Sequence, residues 1–201
     1  PGYGLKTNED ELFYIDSHFL DSYPEGIYST LAHEFQHMLN FVQKDLTYGV
    51  DPDIWYNEML SMVCEDLLAS FIGTTEDSGP QSRFYEFVSS YYQSGVTDWL
   101  SGDDVLKSYA GSYAFGAFLT RNYGGAQLIK DIASSMSVDQ SSINDALIKS
   151  AAFSTENFAS VFKAYGRALC YADIPLSYTI PSFNVPNSST VGSYTYNVLP
   201  I

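Results

Sequence analysis

Two histidines in this sequence have the spacing needed to bind one metal ion together. His33 and His37 enclose Glu34-Phe35-Gln36, so one histidine follows the other by four residues. On a helix, residues four apart lie one above the other, and both imidazoles can then reach the same cation. Neutral imidazoles suit Zn²⁺, and two of them leave coordination positions for a carboxylate and a water molecule. We therefore predict a zinc site centred on these histidines.

The helix that carries the histidines, predicted from Ser29 or Thr30 to about Lys44, also has an apolar face. At 100° per residue, its apolar side chains form a stripe roughly opposite the two histidines. The stripe consists of Leu31, Phe35, Met38 and Val42, with Leu39 on its flank. We expect the helix to bury this stripe and to present its histidines on the other face.

A zinc ion held by two histidines needs a further protein ligand, and the next predicted helix offers one. Glu58 and Glu65 are seven residues apart, so they lie on one face of that helix, two turns from each other. The other face is apolar, with Leu60, Val63, Cys64 and Leu67. A lone helical glutamate usually faces solvent, but beside two spaced histidines Glu58 becomes the candidate third ligand.

Together, the two helical segments resemble those of the gluzincin metallopeptidases and, within that clan, of the hyicolysin-type family. That family typically has an AHEFQHM helix and, about twenty residues later, a W-x-N-E-G-x-S helix. Ala32–Met38 and Trp55–Ser61 are similar to these motifs, and the likeness covers roughly residues 1–125. Met59 is a departure, since the family pattern has glycine at that position.

The resemblance implies roles for further residues. Glu34 would act as the general base towards the attacking water. Tyr113, in a Tyr-x-x-Gly segment similar to that of aminopeptidase-like gluzincins, would stabilise the oxyanion, and Tyr109 is a second candidate. Glu65, at the second acidic position of the aminopeptidase N family, would accept a hydrogen bond from a ligating imidazole, and Asn57 is the alternative acceptor.

Composition limits the classes of partner. The formal net charge is −15, with only 9 Lys and Arg in 201 residues, and this argues against nucleic acid and against an anionic membrane surface. No apolar run reaches the length of a bilayer span, so we predict no transmembrane segment in this chain. A protein or peptide substrate is the partner that the predicted chemistry requires.

The predicted fold class is α+β and mainly α: a zincin-like metalloprotease core with an N-terminal strand region, an active-site helix, a glutamate helix and a helical C-terminal subdomain. Glu11–Asp16 is the predicted strand, serving either to align a peptide or only as a structural strand. His18, just after it, is predicted to be structural. Predicted helices follow at 84–92, 108–120, 126–136, 141–150 and 155–169, and β-prone segments at 176–180 and 191–198. We predict one catalytic domain over residues 1–201, with a metal-site half (1–72), a helical half (73–173) and an extended or β-prone tail (174–201).

These observations predict a zinc-dependent endopeptidase. One alternative is a non-catalytic zincin-like binding module, which the intact Glu34 argues against because such a module needs no base. Another is a zinc aminopeptidase, although the Gly-x-Met-Glu-Asn motif of that family is absent from the sequence. The resemblance also implies a bacterial protein that is secreted or in the cell envelope. Cys64 and Cys170 either pair or remain free thiols, so the redox compartment stays open.

Overall fold

The computed structural model describes residues 12–75, 78–170, 188–191 and 194–197. This part of the chain is mainly helical, as predicted. Its α-helices are α1 (Ser17–Ser22), α2 (Pro24–Phe41), α3 (Ile54–Ile72), α4 (Arg83–Ser90), α5 (Val105–Asn122), α6 (Gly125–Ala133), α7 (Gln140–Lys149) and α8 (Phe158–Cys170). Short 3₁₀ turns at Pro80–Ser82 and Gly102–Asp104 precede α4 and α5. Within the described residues, no helix is long and apolar enough to span a bilayer.

Helix α2 continues beyond Phe41 as a π-helical segment, Val42–Tyr48. The segment ends at Gly49, whose φ of 67° is a left-handed conformation that glycine adopts without a steric penalty. The buried Lys44 lies in this segment, and its ammonium group donates hydrogen bonds to the carbonyls of Ser135 and Ser137, after α6. These hydrogen bonds attach the end of α2 to the segment that follows α6.

Helices α3 and α5 form the centre of the hydrophobic core. They cross closely at Gly116, where an added Cβ would lie 2.7 Å from Met59 Cγ and 2.6 Å from Val63 Cγ2. Met59 is fully buried in this crossing. The methionine that replaces the family's glycine thus fills the core between α3 and α5, and Gly116 makes the space for it.

The apolar stripe predicted to be buried on α2 is largely exposed, so that prediction is wrong. Phe35 is 50% exposed, Leu39 49% and Val42 40%, while Leu31 and Met38 are half-buried. The face of α2 that packs against α3 is the polar one, with Ser29, His33 and Asn40 buried. Hydrogen bonds explain this orientation, because the buried carboxylate of Glu65 needs donors from α2.

The predicted strand Glu11–Asp16 is also wrong for the residues that the structure describes. Residues 12–16 have no regular secondary structure, and Leu12 and Tyr14 are exposed. Asp16 instead caps α1, its carboxylate accepting hydrogen bonds from the backbone N–H groups of His18 and Phe19. Its last residue thus begins a helix, and within the part of the chain that the structure describes no strand pairs with it, so an extended ladder would not stabilise it.

Among the described residues, strands occur only near the carboxyl terminus. Strands β1 (Ser188–Val191) and β2 (Tyr194–Asn197) pair antiparallel, with Val191 opposite Tyr194 and Ser188 opposite Asn197. They overlap the predicted β-prone segment 191–198. The other such segment, 176–180, lies outside the described residues, and the predicted division into two halves and a tail stays a prediction.

Candidate metal centre

Helices α2 and α3 bring His33, His37 and Glu58 to one point. The Nε2 atoms of the two histidines are 3.0 Å apart. Glu58 Oε2 lies 3.1 Å from His33 Nε2 and 3.5 Å from His37 Nε2. One donor atom from each residue falls within 4.8 Å of the others, and among the described residues this is a group that could hold a metal ion. Two adjacent turns of α2 and one turn of α3 supply all three side chains.

Glu65 orients the first histidine from its far side. His33 Nδ1 is 2.7 Å from Glu65 Oε1, so a carboxylate accepts its proton and the Nε2 lone pair is left for a ligand. Glu65 is itself buried and held by Ser29, whose hydroxyl donates at 2.9 Å, and by Arg83, with a nitrogen–oxygen distance of 3.0 Å. The predicted role of Glu65 thus has a geometric basis, while Ser29 and Arg83 were not predicted from the sequence.

Asn57 and Ser61 contact the second histidine in a similar way. His37 Nδ1 lies 3.1 Å from Asn57 Oδ1 and 3.1 Å from Ser61 Oγ. Asn57 Oδ1 also accepts a 2.7 Å hydrogen bond from the side-chain amide of Asn40. Both predicted outer-sphere residues therefore contact a histidine, one each. The serine of the W-x-N-E-x-x-S segment was a signal for Ser61 that the sequence reasoning did not use.

The histidines and carboxylates of this group shift each other's pKa values. Burial lowers the pKa of His33, but hydrogen bonds to Glu58 and Glu65 outweigh this and raise it to about 9. Burial raises the pKa of Glu58, but its hydrogen bonds to His33 and His37 lower it to about 2. In the metal-free chain, protons on the imidazoles therefore balance two carboxylates.

These residues fit a divalent metal such as zinc. Each imidazole has one nitrogen engaged by an outer partner, and its other nitrogen faces Glu58. Two imidazoles and a carboxylate are a ligand set that catalytic zinc sites use, with further positions left open. A cation at this point would replace the protons that now separate the nitrogens from the carboxylate.

Glu34 and Tyr109 lie next to this group. Glu34 directly follows His33 on α2, and its side chain is exposed. Tyr109 on α5 is half-buried, and burial together with the nearby carboxylate of Glu58 raises its pKa to about 12. The exposed base and the half-buried phenol therefore each lie near a predicted ligand.

Tyr113 lies elsewhere, which is contrary to its predicted role at the oxyanion. It is 2% exposed, and its hydroxyl donates a 3.1 Å hydrogen bond to Asp66 Oδ1. Asp66 is eight residues after Glu58 on α3, about 12 Å further along the helix axis. The resemblance that assigned Tyr113 to the oxyanion carried no information on how α5 packs against α3.

Two other residues can be placed. Cys64 is a free thiol, half-buried on α3, and burial raises its pKa. The Cys170 side chain lies outside the described residues. His18 is exposed on α1, and in the described part of the chain it is not among the residues grouped as metal ligands.

Two comparisons with known proteins show what the chain is similar to. The family model described as Peptidase M30 matches residues 7–200. A neutral metalloprotease of Staphylococcus hyicus, ShpI, is 29% identical over 141 residues, which cover 63% of this chain and 30% of that protein. The chain thus spans less than a third of the length of this curated relative.

Proposed function

The chain belongs to the peptidase M30 family, and on that basis we propose that it is the catalytic part of a zinc-dependent endopeptidase acting on proteins or peptides. One observation carries the proposal. Donor atoms of His33, His37 and Glu58 converge within 4.8 Å, and each imidazole is oriented by a hydrogen bond from its other nitrogen. Such outer-sphere anchoring is characteristic of metal-ligating histidines.

His33, His37 and Glu58 would hold the zinc ion. Bound there, zinc supplies a Lewis acid that polarises a carbonyl group and makes water a better nucleophile near neutral pH. Glu65 keeps the His33 ring in one orientation through the 2.7 Å contact. Asn57 and Ser61 do the same for His37.

Glu34 would be the general base. Its carboxylate directly follows a ligating histidine and is exposed, so water and substrate can approach it. It would take a proton from the water that attacks the scissile carbonyl carbon and deliver that proton to the leaving nitrogen. The C–N bond breaks as the nitrogen is protonated, giving a carboxylate and an amine.

Cleavage within chains is favoured over removal of single N-terminal residues. The motif that binds the free amine of an aminopeptidase substrate is absent from the sequence. Secretion or a place in the bacterial cell envelope, which the family resemblance implies, stays a prediction.

Metal analysis combined with a peptide-library assay tests this function. The purified protein should contain about one zinc per chain, and chelation should abolish cleavage until zinc is restored. Glu34→Gln should keep the zinc and lose about 10²–10⁴-fold in kcat. Glu25→Gln, near the start of the same helix, is the matched control and should cleave at the wild-type rate.

The outcomes separate the proposal from its alternatives. A zinc-loaded wild type that cleaves no library peptide would leave only a binding module. Products that always lack a single N-terminal residue would indicate an aminopeptidase. Full turnover by Glu34→Gln would remove this residue from the mechanism.

A further inference from the structure

The two histidines of the candidate metal centre are held by different kinds of partner. The partner of His33 is the carboxylate of Glu65, at 2.7 Å from Nδ1, and an ionised carboxylate only accepts hydrogen bonds. The partner of His37 is the side-chain amide of Asn57, at 3.1 Å from Nδ1. An amide accepts through its oxygen and donates through its nitrogen, so it can hold an imidazole in two opposite ways.

The orientation of the Asn57 amide matters for metal binding. With its oxygen towards His37, the amide accepts the proton on Nδ1 and leaves the lone pair of Nε2 for a metal ion. With its nitrogen there, the amide would donate to Nδ1, and the neutral imidazole would carry its proton on Nε2, where the metal ion should bind. Ser61, 3.1 Å from Nδ1, does not select one arrangement, because a hydroxyl both donates and accepts.

Asn40 determines which end of the Asn57 amide faces the histidine. It lies three residues after His37 on α2 and is 1% exposed. Its Nδ2 donates a 2.7 Å hydrogen bond to Asn57 Oδ1, so this oxygen lies between two nitrogens, one from each partner. Turning the Asn57 amide around would put its nitrogen against Asn40 Nδ2, which is a donor and cannot accept.

The stability of the fold does not explain an asparagine at this position. Asn40 Oδ1 is buried and, among the described residues, has no hydrogen-bond partner. Such an oxygen destabilises the folded state, whereas an apolar side chain of similar shape would avoid the cost. A residue that breaks a packing rule in this way is expected where a functional requirement outweighs stability.

We infer that Asn40 is a positioning residue of the metal centre. By donating to Asn57 Oδ1, it keeps the amide oxygen towards His37 and thereby keeps Nε2 of that histidine free for the metal ion. The inference rests on the proposed zinc site and adds to it a residue that does not itself contact a ligand. The carboxylate that holds His33 needs no such residue, since either of its oxygens accepts.

Asn40→Leu is the first test, because leucine is similar in shape to asparagine and has no donor. Zinc affinity of the metal-free protein, measured by competition with a chelator, should fall about tenfold, the lower end of the effect of losing an outer-sphere partner. The metal-free variant should resist urea at least as well as the wild type, since the unpaired oxygen is gone. Asn122→Leu is the matched control: its amide donates within α5, to the carbonyl of Phe118 at 2.8 Å, and this variant should bind zinc like the wild type.

A double-mutant cycle separates the orientation of the amide from packing. Asn57→Asp replaces the amide with a carboxylate, for which orientation no longer matters. In that background, Asn40→Leu should change zinc affinity by at most about twofold. A purely structural contribution of Asn40 would instead lower zinc affinity by the same factor in both backgrounds.

Three results would overturn the inference. Unchanged zinc affinity in Asn40→Leu, beside a wild type that binds zinc, would refute it while leaving the proposed function intact. Equal losses in the wild-type and Asn57→Asp backgrounds would make Asn40 a packing residue. A wild type that binds no zinc would remove the proposed function and this inference together.

Discussion

Helix α3 carries two polar clusters that start at neighbouring residues, Glu65 and Asp66, and balance their charges in different ways. Glu65 points towards α2 and belongs to the metal centre through His33. Asp66 points towards α5, where it accepts a hydrogen bond from Tyr113 and pairs with Arg121 at 2.9 Å. Both carboxylates are buried, so both require compensation.

The Asp66 cluster is complete without any added ion. Its anion and its guanidinium lie in direct contact, and the side chains of Asp66 and Arg121 are 0% and 2% exposed. The metal centre balances its carboxylates through protons on its imidazoles instead. Donor atoms of two imidazoles and a carboxylate face one another there, and their side chains are 11–23% exposed. A cluster held by a fixed ion pair stabilises the fold, whereas one whose balancing protons a metal ion can replace can serve function.

We expect the largest effect from a substitution that breaks the Asp66 cluster. Asp66→Asn would remove the anion that pairs with the buried Arg121 at 2.9 Å, and we expect the free energy of unfolding to fall by about 3–5 kcal/mol. Urea denaturation measures the loss. Zinc affinity of the folded protein should stay unchanged, since Asp66 does not contact the histidines.

A surface pair is the control for this prediction. Lys149 and Asp131 are 3.9 Å apart, with the lysine side chain half exposed, so Asp131→Asn should cost at most about 1 kcal/mol. Equal losses for the two variants would mean that the buried pair contributes no more than an exposed one.

We expect the next largest effect from a substitution at the metal centre. Glu65→Gln keeps the size of the side chain and removes the charge that orients His33, so zinc affinity should fall about 10–100-fold. Titration of the metal-free protein against a chromogenic chelator measures it. Stability should fall less than in Asp66→Asn, because a glutamine oxygen can still accept the imidazole proton. Unchanged zinc affinity would show that Glu65 serves only packing.

Lys44 offers a third way of balancing a buried charge, and its effect on stability depends on pH. Its ammonium group is held by two backbone carbonyls and lies 5.3 Å from the centre of the Tyr56 ring. The carboxylate of Asp145 is nearby, but it is bonded to Ser135 and Ser137. Burial lowers the pKa of Lys44 from 10.5 to about 8, against the opposing effect of Asp145.

The sign of the pH dependence follows from this shift. Between about pH 8 and 10.5 the unfolded chain holds a proton that the folded chain has lost, so stability rises with pH by up to roughly 1 kcal/mol per unit. The difference in unfolding free energy between wild type and Lys44→Met, measured in urea at pH 7, 9 and 10, should rise across this window. A constant difference would mean that Lys44 keeps its proton when buried.

The candidate metal ligands could be predicted from the sequence because their spacing along single helices is visible there. The i, i+4 spacing of His33 and His37 and the i, i+7 spacing of Glu58 and Glu65 are fixed by helix geometry. The structure brings together the three predicted ligands, and the two predicted outer residues contact the histidines. Serine and arginine partners such as Ser29 and Arg83 have no such spacing, because they depend on how separate helices meet.

Two predictions failed where helices pack against each other. Apolar periodicity assumed that α2 would bury its apolar stripe, and the family resemblance assigned Tyr113 to the oxyanion. The buried carboxylate of Glu65 instead turns the polar face of α2 inwards, since an unpaired buried charge costs more than an exposed apolar stripe. The packing of α5 on α3 places the Tyr113 hydroxyl against Asp66, at 3.1 Å.

By itself, the sequence determined which residues could bind a metal ion, because one helix fixes their mutual spacing. Only the tertiary structure decided which helix faces meet, and with them that α2 buries its polar face and that Tyr113 lies against Asp66. The physical reason is that packing angles depend on pairing every buried charge across different helices, and no periodicity along one helix contains that information.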